Sequence, residues 1–179
     1  MMGRQNYFAN QSRGFTLSLY ALEKLIAETR RLAARYRETT GQTLPVTGEI
    51  ARFDAARHLD LKLLDPRQPG VDAEGTGENA DRRYQIKGRV IFQEGKPGYR
   101  IGQLNTNGDW THIALVLLDA DFEPFKIYEA CREDILDALS DASGKRSKRG
   151  AMSVAKFEVI GELVWSRENG REDALWSNY

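Results

Sequence analysis

The sequence predicts a mixed α/β domain, and three patterns predict it. Apolar residues recur at helical spacing near the start, residues 82–92 alternate with a period of two, and residues 110–118 are almost continuously apolar. Read in order, the elements run helix, helix, several strands, helix, strand. At 179 residues the chain fits one domain with one core. Its 41% hydrophobic and 29% charged residues are those of an ordinary globular protein rather than a disordered one.

Residues 1–14 are polar and read as a flexible arm, with 15–179 as a single domain. Within it, 16–40 is a long helix, 47–165 the core and 166–179 a tail. Thr16 suits the N-cap, and Phe15, Leu19, Leu22, Ile26, Ala33 and Tyr36 form one apolar stripe. Arg30, Arg31, Arg35 and Arg37 are assigned to the opposite side, and Gly41 is the stop signal. A second helix spans about 48–58, with Thr47 as its N-cap. Asp65-Pro66-Arg67-Gln68-Pro69-Gly70 reads as a turn, Val71-Asp72-Ala73 as the start of a strand, and 74–79 as a hairpin loop.

The returning strand, 82–92, sets Tyr84 and Ile86 on one face and Arg83, Gln85, Lys87 and Arg89 on the other. Residues 93–109 are glycine-rich and irregular. Trp110 to Leu118 reads as a central strand buried on both faces. A strand at 125–130, a helix at 132–139, a basic loop at 143–150 and a last strand at 156–165 complete the order. That basic loop lacks the Lys-[Ser/Thr] ending of a phosphate-binding P-loop.

The one cysteine, Cys131, excludes an internal disulfide, and two histidines with one cysteine argue against a Cys/His zinc site. Any metal would need oxygen ligands, which points to Mg²⁺ or Mn²⁺. No apolar run reaches the ~20 residues of a membrane span, and the start lacks the apolar stretch of a secretion signal. A cytoplasmic, membrane-free protein is the expectation. The net charge is zero but uneven. Six basic residues and one acidic residue lie in 82–100, and five basic and no acidic residues lie in 145–156. Eight acidic residues crowd 119–141. A neutral chain so arranged can still bind a polyanion locally.

Four residues form a set with chemical sense: Glu49 in the first turn of the second helix, Asp72 at a strand start, and Gln85 and Lys87 on one face of the next strand. A hard cation held by carboxylates would activate water and absorb phosphoryl charge, and a lysine beside it would steady the attacking water. Asp72 is the expected principal ligand, with the Gln85 side-chain oxygen and the Ile86 carbonyl as neutral ligands and Glu49 direct or through water.

Gly48-Glu49-Ile50-Ala51, Gly70-Val71-Asp72-Ala73 and Tyr84-Gln85-Ile86-Lys87-Gly88-Arg89 together resemble the PD-(D/E)XK, or restriction endonuclease-like, nuclease superfamily. The resemblance covers about 47–130. It departs from the pattern in two places: Pro69 stands three residues before Asp72, and Gln85 replaces the acidic residue. It implies an α-β-β-β-α-β core with a mixed central sheet, and a Mg²⁺-dependent endonuclease acting on DNA in restriction, repair or phage defence. It further implies Asp72 and Gln85 as metal ligands, Lys87 as the catalytic lysine, Glu49 as the helix carboxylate, and pairing of two copies, for which the long first helix is the candidate surface. Arg83, Arg89, Lys145, Arg146, Lys148 and Arg149 are the expected nucleic-acid contacts. The alternative is the same fold without catalysis, holding nucleic acid or a protein partner, which the Gln85 replacement favours.

Overall fold

In the computed structural model, which describes residues 19–140 and 151–171, two helices come first: α1 (Leu19–Thr40) and α2 (Thr47–Leu59). Then follow β1 (Lys62–Gln68), β2 (Val71–Glu74), a 3-10 turn at Gly77–Asn79, β3 (Arg83–Val90), β4 (His112–Leu118) and β5 (Pro124–Cys131). Helices α3 (Arg132–Ser140) and α4 (Val154–Ile160) precede β6 (Glu162–Ser166) and the short β7 (Gly170–Arg171). The expected arm at 1–14, the Thr16 cap, the basic loop at 143–150 and most of the tail lie outside the described residues.

The strands make one seven-stranded sheet in sequence order. Only β3 and β4 pair in parallel; every other neighbour is antiparallel. A parallel step requires a long crossover, and residues 91–111 supply it. The architecture is mixed α/β, as the sequence predicts.

Strand β4 explains the layering. Ala114, Val116 and Leu118 enter a core shared with α2, while Ile113, Leu115 and Leu117 enter a second core with α3 and α4. A strand buried on both faces carries no polar alternation, hence the unbroken apolar run. The close approach of α2 to the sheet depends on Gly88. A Cβ there would meet the Ala51 Cβ at 2.6 Å and the Thr47 carbonyl at 2.9 Å. This contact sets the N-terminal end of α2, and Glu49 with it, against β3.

The local structure departs from expectation at five places. Of the expected turn at 65–70, residues 65–68 belong to strand β1 and only Pro69 and Gly70 turn. Pro66, behind a cis Asp65–Pro66 bond, is tolerated because β1 is an edge strand with an irregular register between Leu63 and Gln68. Residues 154–160 are helical, not extended. Ser153 caps them by accepting the Lys156 N–H at 3.1 Å, and Phe157 is fully buried while Val159 is 84% exposed. An alternating strand would place those two on one face.

Arg30 is buried rather than on the wet side of α1, and Tyr36 is exposed rather than buried. The Arg30 guanidinium pairs with buried Asp54 of α2 and donates to the Phe122 carbonyl, so charge complementarity overrides the apolar stripe. Burial pushes the Asp54 carboxyl up to about 6 despite Arg30. Thr47 is the first residue of α2 instead of its cap, and Val46 occupies the cap position without a side-chain bond. Gly41 does end α1: its φ of 71° is left-handed and its N–H bonds the Arg37 carbonyl.

Candidate functional site

The carboxylates of Glu49 and Asp72 meet on one cation, and that cation is Arg52. Arg52 Nη1 lies 3.4 Å from Glu49 Oε2, and its Nε lies 3.1 Å from Asp72 Oδ1. The geometry follows from the helix: residues three apart share a face, so Glu49 and Arg52 both look toward β2. Arg52 is 11% exposed, yet its Nε makes no hydrogen bond; it faces Asp72 as a charge without an aligned N–H.

The ladder between β2 and β3 pairs Glu74 with Arg83 and Ala73 with Tyr84. One residue further on, the Asp72 carboxylate bonds β3 directly, its Oδ2 accepting the Ile86 N–H at 2.9 Å. A carboxylate thus stands in for a ladder carbonyl. Lys87 follows on β3, half-buried. Burial pulls its amine below the usual lysine range, and the Asp72 charge works in the opposite direction.

Gln85 belongs to a different cluster. It is 2% exposed, and its amide is fully engaged. Nε2 donates to the Gly70 carbonyl at 3.1 Å and the Asn105 carbonyl at 3.4 Å, while Oε1 accepts the Asn105 N–H at 3.0 Å. Asn105 also accepts the Trp110 indole N–H at 2.6 Å. Gln85 therefore ties the crossover loop to the β1–β2 turn. The structure brings Glu49, Asp72 and Lys87 into one neighbourhood, with Ile86 contributing its N–H, and directs the Gln85 oxygen to Asn105.

Of the basic residues, Arg83 pairs with Asp109 and donates to Gln68 Oε1 at 2.8 Å. Arg89 is exposed, with its guanidinium 5.4 Å above the Tyr99 ring. Lys145, Arg146, Lys148 and Arg149 lie outside the described residues. Arg52, the residue that links the two carboxylates, was not singled out from the sequence. Its signal was present, as a basic residue one helical turn after Glu49.

A second polar cluster lies where β3 and β4 begin. Tyr84 donates to Glu129 Oε2 at 2.9 Å, Arg82 pairs with the same carboxylate, and His112 approaches it at 3.9 Å. Burial and Glu129 raise the Tyr84 phenol, so it stays protonated. Cys131 is half-buried and donates to Asp134 at 3.0 Å.

Among the described residues no group of three or more His, Cys, Asp or Glu is placed to hold a metal, and no helix is long and apolar enough to cross a membrane. No model of a known protein family matches the chain, and no curated protein matches it.

Proposed function

We propose that this chain is a metal-dependent nuclease, hydrolysing phosphodiester bonds of DNA with a restriction endonuclease-like core. The observation that carries the reading is the meeting of Glu49 and Asp72 on one cation beside the desolvated Lys87 amine. Two carboxylates held around a guanidinium make a cation position. Arg52 fills it imperfectly, because its buried Nε lacks a hydrogen bond. Mg²⁺ or Mn²⁺ needs only one or two protein carboxylates, the remainder being water. Asp72 and Glu49 would hold the ion once Arg52 swings aside, while Gln85 stays with Asn105. The chemistry supplied by such an ion, when bound, is activation of water and neutralisation of charge on phosphoryl oxygens. Lys87 offers N–H donors to a phosphoryl oxygen or to the attacking water, in a site where partial burial strengthens each contact.

A second reading has its own support: the same fold binding nucleic acid without cutting it. Arg52 as a resident cation and Gln85 as a committed structural amide favour it. Plasmid incubated with Mg²⁺ or Mn²⁺ separates the two. We expect metal-dependent nicking that falls about 100-fold or more in Lys87→Ala. We also expect Arg52→Gln to melt lower in EDTA and to gain more from added Mg²⁺ than the parent does. Absence of cleavage together with no Mg²⁺ stabilisation of Arg52→Gln would leave the non-cutting module.

A further inference from the structure

The fold adds a cation from α1 to two from the basic segment 82–100. Arg37 from the last turn of α1, Arg89 from β3 and Lys96 from the crossover loop line one groove of about 610 Å³. Phe92 and Tyr99 form its aromatic walls, and no acidic side chain among the described residues lines it. Each ring carries a guanidinium: Arg37 lies 3.4 Å above Phe92 and Arg89 lies 5.4 Å above Tyr99. The Tyr99 ring is fixed, its hydroxyl accepting the Gln93 N–H at 3.0 Å. Across the same loop a second groove, about 760 Å³, contains Glu94, Glu158 and Glu168. Lys96 and Tyr99 line both grooves, so the loop is a ridge with cations alone on one side and mixed charge on the other.

We propose that the Arg37–Arg89–Lys96 groove is a binding track for single-stranded nucleic acid that leads to Lys87. Three cations from three separate segments, converging without a carboxylate, repel one another until an anion joins them. Phosphates supply that anion. The flat aromatic and guanidinium faces suit unpaired bases, whose π-faces stack on such platforms, whereas a duplex keeps its bases stacked on each other. Lys87 and Arg89 are two residues apart on β3, about 6.6 Å, with side chains on the same side. A strand held at Arg89 is thereby carried toward Lys87. The destination rests on the nuclease reading; binding in the groove does not.

The test is fluorescence anisotropy on the full chain in EDTA, across a salt series. The probes are labelled oligothymidylate and oligouridylate of about 15 nucleotides and a duplex of equal length. Either single strand should bind more tightly than the duplex, and the tighter of the two identifies the preferred sugar. Arg89→Gln and Lys96→Gln, both at exposed positions, should each reduce the salt slope by about 0.7. Tyr99→Leu should weaken binding about 5- to 100-fold, while Tyr99→Phe, which keeps the ring, should not. Equal duplex binding, or unchanged salt slopes in both charge variants, would overturn the proposal. Binding retained without Mg²⁺-dependent cleavage would remove the nuclease reading and leave the track. Cleavage by a chain whose binding ignores Arg89, Lys96 and Tyr99 would do the reverse.

Discussion

At the scale of the residue, identity mattered less than partners. Gln85 and Lys87 sit two apart on one strand, yet Gln85 is spent on Asn105 and Gly70 while Lys87 sits beside Asp72. His58 shows the same dependence. Its ring lies 4.0 Å from Trp165, and burial, reinforced by Arg57 and Arg30, lowers its pKa to about 4. The unfolded chain takes up a proton as pH falls through 6.5, and the folded chain does so only near 4. His58 therefore contributes nothing unfavourable above pH 6.5, and its stability term is lost progressively between 6.5 and 4, at no more than about 1.4 kcal/mol per pH unit. Asp54 acts oppositely. Its raised pKa favours the folded state as pH falls from about 6 to 3.8. The His58 term is thus read as the difference between parent and His58→Gln in denaturant unfolding at several pH values. The parent should lose stability relative to the variant across pH 6.5 to 4, and parallel curves would refute the assignment.

At the scale of the element, the decisive contact is α2 against β3. It exists because Gly88 lacks a Cβ, and it delivers Glu49 and Arg52 to Asp72. Gly88→Ala would collide with the backbone carbonyl of Thr47, which cannot move without moving the helix. The expected cost is about 1–3 kcal/mol in urea unfolding. Gly48→Ala, in the same helix with open space around it, should instead gain a few tenths to about 1 kcal/mol. Equal effects from the two would mean that α2 is not held by this contact. The α1–α2 tether is also tertiary in origin: Arg30 leaves the wet face of its helix because Asp54 and the Phe122 carbonyl lie beneath it.

At the scale of the whole molecule, α1 leaves Leu25 48%, Leu32 61% and Tyr36 39% exposed, spaced seven and four residues apart along one stripe. We propose that two copies pair through this stripe. Sedimentation at micromolar concentration should show a dimer that Leu32→Glu converts to a monomer. A monomeric parent would end that part of the reading.

The α/β class, the long helix, the doubly buried β4 and the alternation of β3 were legible because each is a local period in the chain. Strand β1 and helix α4 were not, since an edge position excuses Pro66 and a single serine cap turns a short segment helical. Of the candidate site, the sequence by itself determined the residue types and the elements that carry them: Glu49 on a helix, Asp72 and Lys87 on neighbouring strands. Only the tertiary structure decided that Arg52 stands between the two carboxylates, that Gln85 turns to Asn105, and that Arg37, Arg89 and Lys96 share a groove. The physical reason is range. Periodicity and capping act within a few residues, whereas ion pairs and buried hydrogen bonds join whatever the packed sheet brings within about 3–4 Å.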